Sequence, residues 1–164
     1  MNRASLKGWN ARNIWHWWAV GLGSGLSPFA PGTAGSLAAL LFVPLLVRLS
    51  LIQDALWVLA FFILGVIAAT RTGKDLGVHD HSAIVIDEWV GQWLALYPLL
   101  GRHPLWPGLF TGFALFRFFD ILKPWPIRWL DRRVGGGWGV MLDDVLAGMA
   151  AAFVLQLAYV YGVL

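Results

Sequence analysis

The stretch A-L-W-V-L-A-F-F-I-L-G-V-I-A-A-T, residues 55–70, carries no charge and decides the fold class. It supplies most of the about 20 apolar residues that a helix needs to cross a bilayer. Four further charge-poor stretches surround it. Residues 34–47 continue past Arg48 to Ile52, residues 89–101 form a short one, residues 104–116 run on to Ile121, and residues 145–164 are uncharged. The expected fold is therefore all-α: a polytopic helical membrane protein with four or five membrane-associated spans. Residues 89–101 are short for a crossing, which suits a tilted segment or one partly buried in protein.

Composition agrees. Of the 164 residues, 59% are hydrophobic and 13% charged, where a soluble domain carries about 25% charged residues. The length suits a single domain, 1–164. There is no cysteine, which excludes a disulfide framework, a thiolate metal site and cysteine-based phosphatase chemistry. The net charge is +3 with the basic residues scattered. That argues against nucleic acid and for an anionic headgroup or leaflet as partner.

The start, M-N-R-A-S-L-K-G-W-N-A-R-N, reads as a mature cytoplasmic N-terminus. A Gly-Ser-Pro loop soon interrupts the apolar stretch, and no small-x-small cleavage site follows. Residues 13–22 hold Trp15, Trp17 and Trp18, with Trp9 just before and Arg3, Lys7 and Arg12 nearby. This pattern predicts an N-terminal helix lying in the membrane interface.

Orientation follows from Lys and Arg. With the N-terminus cytoplasmic and five spans, cytoplasmic segments hold Arg3, Lys7, Arg12, Arg71, Lys74, Arg117, Lys123, Arg128, Arg132 and Arg133; only Arg48 and Arg102 fall outside. A strong positive-inside bias results. The same topology puts eight of the nine acidic residues on the cytoplasmic side and leaves Asp54 outside.

Those eight acids lie in two stretches, and carboxylates are costly near lipid unless paired, metal-bound or wet. The first stretch is G-K-D-L-G-V-H-D-H-S-A-I-V-I-D-E-W-V-G, residues 73–91, with Asp75, His79, Asp80, His81, Asp87 and Glu88. Hard oxygen donors suit magnesium or manganese, and there is no H-E-x-x-H zinc spacing. Asp87 and Glu88 open a span, where a helix N-terminus favours negative charge, and Gly91 leaves room beside Asp87. The plain alternative is a solvated loop capped by acids.

The second stretch begins with F-R-F-F-D-I-L-K-P-W-P-I-R at residue 116 and ends at Asp143 and Asp144. Asp120 is one helical turn from both Arg117 and Lys123. Pro124 and Pro126 end the helix there. Lys123 and Arg128 are candidates to hold phosphate oxygens, with Lys74 and Arg117 further candidates for an anionic substrate. Asp143 and Asp144 repeat the Asp87–Glu88 arrangement. Neighbours in a helix point about 100° apart, so one of each pair is expected to face the site and the other to cap or face water.

The loop G-L-G-S-G-L-S-P-F-A-P-G-T-A-G-S, residues 21–36, adds the hydroxyls of Ser24, Ser27, Thr33 and Ser36. It leads into an apolar helix whose N-terminus suits an anion. It lacks a Walker A ending and the dinucleotide pattern. Gly and Pro also serve simply to turn a chain at the interface.

Together, G-S-G-L-S-P-F-A-P-G-T-A-G-S-L, G-V-H-D-H-S-A-I-V-I-D-E-W-V-G, F-R-F-F-D-I-L-K-P-W-P-I-R and M-L-D-D-V-L-A-G resemble the signature blocks of bacterial phosphatidylglycerophosphatase A. The resemblance runs from about Trp15 to Ala152. It implies a magnesium-dependent, multi-pass lipid phosphatase of the bacterial inner membrane, with its active site facing the cytoplasm. Its substrate would be phosphatidylglycerophosphate and its products phosphatidylglycerol and inorganic phosphate. The D-x-D of haloacid-dehalogenase-type phosphatases and the blocks of acid-phosphatase-like lipid phosphatases are absent. On this reading one or two Mg²⁺ ions draw ligands from Asp80, Asp87, Glu88, Asp120, Asp143 and Asp144, while Lys123 and Arg128 stabilise the transition state. His79 or His81 acts as a general acid or orients a ligand, with direct water attack and a covalent intermediate on Asp80 or a His both open. From another class, a non-enzymatic anionic-lipid transporter or membrane scaffold would also use intramembrane carboxylates and bases.

Overall fold

The computed structural model describes residues 8–78, 80–100 and 106–164. All regular structure among them is helical. Helix α1 spans Ile14–Ala19, with the Asn13 side chain accepting from the Trp15 N–H as its cap. A 3₁₀ segment, Gly21–Leu26, breaks at Leu22 and Gly23, both at positive φ. Helix α2 (Pro31–Leu40) opens with proline at its first position and is followed by the short α3 (Val43–Leu46). Helix α4 runs Leu51–Leu76, from a Ser50–Gln53 capping box to Gly77 at φ 71°. Then come α5 (Ile86–Ala95), α6 (Trp106–Leu122), α7 (Ile127–Arg133) and α8 (Gly136–Val160).

Two of these helices, α4 with 26 residues and α8 with 25, are long and apolar enough to cross a membrane. At 1.5 Å per residue each exceeds the about 30 Å hydrocarbon core. Among the described residues, the other apolar stretches form no helix of that length. Residues 34–52 are divided among α2, α3 and the first two residues of α4, and α3 is set apart from α2 because Pro44 has no N–H to offer Leu40. The expected span at residues 89–101 is the ten-residue α5, and Pro98 likewise has no N–H for Leu94, so a 3₁₀ turn at Tyr97–Leu99 follows. Helix α6 has 17 residues from Trp106.

Helix α8 is the hub and packs against α4, α5, α6 and α7, most extensively against α5. Small residues set that crossing: a Cβ on Gly148 would strike the backbone of Gly91. Phe42, Trp57, Phe61, Trp89 and Trp93 form an aromatic cluster with ring centroids 4.8 to 6.5 Å apart. The Trp93 indole N–H donates to the Ala39 carbonyl at 2.9 Å and ties α5 to α2. The outside of the bundle is apolar, with Ile52, Leu56, Leu59 and Ile63 exposed along one face of α4 and Met149 and Phe153 along α8. Continuous apolar stripes of this kind suit lipid contact, and together with the two long helices they indicate membrane association.

The N-terminal helix is shorter than residues 13–22 and packs on the last turns of α4. There the Thr72 hydroxyl donates to Trp15 O at 3.3 Å, and buried His16 pairs with Asp75 at 2.9 Å. Asp75 is thereby separated from the other acids of its stretch. Asp54, expected as an outlying acid on the far side, is buried in the first turn of α4, and neither carboxylate oxygen has a hydrogen-bond partner.

Candidate active site

Helix direction gathers the polar residues at one end of the bundle. Helices α2, α5 and α8 begin there and α6 ends there. A cavity of about 310 Å³ opens between them, lined by Ala30, Pro31, Gly32 and Thr33 from the start of α2, Asp87 and Glu88 from the first turn of α5, Arg117 and Asp120 from the last turns of α6, and Asp143 and Asp144 from α8. Asp80, Ser82 and Ile84 come from the loop before α5, Val140 from α8, and Lys123 from the turn after α6.

Asp87, Glu88 and Asp144 each bring one carboxylate oxygen within 4.8 Å of the others. Two like charges about 4 Å apart repel by about 4 kcal/mol at an effective dielectric near 20. Asp87 Oδ1, Glu88 Oε2, Asp143 Oδ1 and Asp144 Oδ2 are buried with no hydrogen-bond partner. Among the described residues, six carboxylates line the cavity and two cations, Arg117 and Lys123, oppose them. A donor set of orphaned, all-oxygen acids fits a hard divalent cation.

Both members of each acidic pair face the cavity, rather than one of each. The cavity meets residues of α2, α6 and α8 as well as the first turn of α5. Glu88 turns toward α2 and α6, because a Cβ on Gly32 would meet Glu88 Oε1 and the Arg117 guanidinium. Asp87 turns toward Asp144 of α8, with a carboxylate oxygen of each within 4.8 Å.

The cations are held by acids. Arg117 pairs with Asp120 at 2.7 Å and its Nη1 donates to Ser36 Oγ at 3.4 Å, while Arg117 Nε is buried without an acceptor. Lys123, at φ 42°, bonds Asp143 and also Asp131, the latter at 2.9 Å. Burial opposes the charge on Lys123, but its hydrogen bonds to Asp143 and Asp131, together with their charges, outweigh burial and hold its pKa above the ordinary lysine value. Lys123 is therefore a fixed cation at neutral pH.

A family model for Phosphatidylglycerophosphatase A matches residues 17–159. The chain belongs to that family. A relative from Escherichia coli K12, named phosphatidylglycerophosphatase A, is 48% identical over 143 residues, 87% of this chain and 82% of its own. One from Haemophilus influenzae with the same name is 46% identical over 141 residues, 85% of each chain. A Bacteroides thetaiotaomicron protein named "putative phosphatidylinositol-3-phosphatase" is 40% identical over 144 residues, 85% of this chain and 89% of its own. No solved structure gives a significant match.

Of the residues singled out in the sequence, Thr33, Asp80, Asp87, Glu88, Arg117, Asp120, Lys123, Asp143 and Asp144 are brought to one cavity. Others are not. Ser24 Oγ donates to Gly21 O at 2.9 Å and Ser27 Oγ to Phe29 O at 2.8 Å, so both hydroxyls close their own turns. Ser36 is buried behind Arg117, donating to Gly32 O. Lys74 is exposed on the last turn of α4, away from the cavity lining. His81 is buried, and its Nδ1 accepts from the Ala83 N–H at 3.1 Å within its own turn. Arg128 lines a neighbouring cleft, its Nη2 donating to Leu122 O at 3.0 Å. His79 lies outside the described residues. Ser82 and Asp131 escaped the sequence reading. Asp131 lies eight residues from Lys123 in the chain, and the reversal at Lys123 brings it to the ammonium.

Proposed function

We propose that the protein hydrolyses the terminal phosphate of phosphatidylglycerophosphate, giving phosphatidylglycerol and inorganic phosphate, with magnesium, at the cytoplasmic face of the bacterial inner membrane. The observation that carries this reading is the convergence of buried, partnerless carboxylates with Arg117, Lys123 and the start of α2 in one cavity. The names of the relatives support the choice of lipid.

Asp87, Glu88 and Asp144, joined by Asp143, would hold Mg²⁺. When bound, the ion supplies positive charge against the phosphoryl oxygens and acidifies water. Arg117 binds a phosphoryl oxygen in a position set by Asp120 and Ser36. Lys123 offers a second, permanent charge, and the free N–H groups at the start of α2 face the same space. Asp80, exposed at the rim, accepts the proton of the attacking water as the new P–O bond forms, and the glycerol oxygen leaves as its bond to phosphorus breaks, taking up a proton from solvent at that rim. Burial of the remaining groups excludes bulk water and strengthens each of these interactions.

A multi-pass arrangement of four or five segments fits this chemistry. Helices α4 and α8 cross, α6 and the broken α2–α3 flank them, and short α5 is sheltered by α8. The Lys/Arg bias supports a cytoplasmic location for the cavity end. The test is phosphate release from phosphatidylglycerophosphate by purified protein in detergent, with magnesium and with excess chelator. Reversible loss of turnover in chelator is expected. Lipid binding without phosphate release would favour a transporter or scaffold, and full turnover without divalent metal would refute the mechanism.

A further inference from the structure

The phosphate-binding role expected of Arg128 takes a different form in three dimensions, because the structure moves it out of the acidic cavity into a cleft of its own. That cleft, about 420 Å³, is built from the turn after α6 and from α7: Lys123, Trp125, Arg128, Trp129, Arg132 and Arg133 form its walls. Lys123 lines both spaces and is the wall between them.

Taking the proposed activity as given, we propose that this cleft binds the second phosphate of the substrate, the phosphodiester that links the headgroup to diacylglycerol, and so measures the headgroup. Three observations carry this. The first is charge. Asp131, the acid of α7, is engaged by Lys123, which leaves three arginines in the cleft facing no carboxylate of their own helix. The second is preorganisation. Arg133 lies over the Trp129 ring at 4.7 Å, and Arg128 is anchored through one N–H to Leu122 O. A guanidinium has five N–H donors, so the others remain for a phosphate, and its planar fork suits a diester oxygen pair. The third is depth. Trp125 and Trp129 are both exposed beside the cleft, and tryptophan prefers the headgroup level, where the phosphodiester of a bilayer lipid lies.

The division is chemical as well as spatial. A terminal monoester carries the greater charge and goes where a divalent cation fits. A diester carries one negative charge, and arginine suffices for it. With Lys123 between the two spaces, a headgroup bearing two phosphates fills both, and a lipid with a single phosphate fills only one.

The experiment uses the full chain in neutral-detergent micelles and two inhibitors that probe the spaces separately: inorganic phosphate for the acidic cavity and phosphatidylglycerol for the cleft. Arg132→Ala and Arg133→Ala are the variants of choice, since both side chains are exposed and Arg128→Ala would also loosen the end of α6. We expect each to raise the KM for phosphatidylglycerophosphate and the inhibition constant of phosphatidylglycerol about tenfold, the loss of one charge-assisted contact. The value of kcat should stay within about twofold, and the inhibition constant of inorganic phosphate should not move. The proposal is overturned if the phosphate constant rises in step with KM, or if both lipid constants keep wild-type values. It is also overturned if the effect appears only in vesicles of anionic lipid, which would make a bilayer lipid the occupant. A wild-type protein that releases no phosphate would instead sink the proposed activity. The cleft would then still be decided by whether phosphatidylglycerol raises the Tm of the wild type and not of Arg132→Ala.

Discussion

Gly148 on α8 lies against the backbone of Gly91 on α5, with no space for a Cβ between them. Each glycine sits one helical turn after an acid, Asp144 and Asp87 respectively, and those acids belong to the same carboxylate cluster. The closeness of the helices thus sets the closeness of the charges. Gly148→Ala should force the crossing apart or strain it, at a cost of about 1–3 kcal/mol in stability. It should also reduce kcat/KM at least about tenfold, because cation ligands must be held to a few tenths of an ångström. Thermal unfolding and steady-state kinetics at several magnesium concentrations check both. Unchanged kinetics would show that the crossing does not tune the cluster.

Asp87→Asn and Asp144→Asn keep size and remove charge. Each should lower kcat/KM by at least about a hundredfold, roughly 2.7 kcal/mol of transition-state stabilisation, with partial recovery at high magnesium. Asp120→Asn should behave differently. Its carboxylate holds Arg117 at 2.7 Å, so its loss should raise KM, and added metal should not restore it. Recovery of Asp120→Asn by magnesium would make it a ligand instead.

Lys123→Ala removes the partner of two acids at once, Asp131 and Asp143. With Asp143 buried, the uncompensated carboxylate should cost about 1–3 kcal/mol of stability. Activity should fall at least about tenfold at every magnesium concentration. Lys123→Arg tests geometry against charge: full activity in that variant would mean that the cavity asks only for a cation there.

Asp54→Asn is the contrasting case. Asp54 is buried with both oxygens unpartnered and is not part of the cavity. An uncharged amide there removes a desolvation penalty, so kcat/KM should remain within about twofold and the Tm should hold or rise. A loss of activity matching that of Asp87→Asn would assign Asp54 a function.

Sidedness is open to thiol labelling, because the chain has no cysteine. Ser82→Cys at the cavity and Gly135→Cys before α8 should react with impermeant reagents in inverted vesicles and resist them in intact cells. Gly135 is exposed with open space around its Cα, whereas Gly136, at φ 69°, would be strained by a side chain. Labelling of either site in intact cells would reverse the proposed orientation.

The sequence alone was enough to establish a helical, lipid-compatible chain, since charge-free stretches and tryptophan placement are local properties that survive any arrangement of the helices. It also showed that eight acids and half of the lysines and arginines belong to two short stretches. Family membership could be read from the same blocks, because ordered motifs are one-dimensional. The pairing of the charges could not be read. Whether Asp75 joins His16 or the cavity, whether both members of an acidic pair face inward, and whether Arg128 shares a space with Lys123 depend on distances between residues far apart in the chain. Those distances are set by the Gly91–Gly148 approach, by prolines that break two of the apolar stretches, and by the reversal at Lys123. Periodicity places a residue on a face of its own helix, and only packing decides what that face meets.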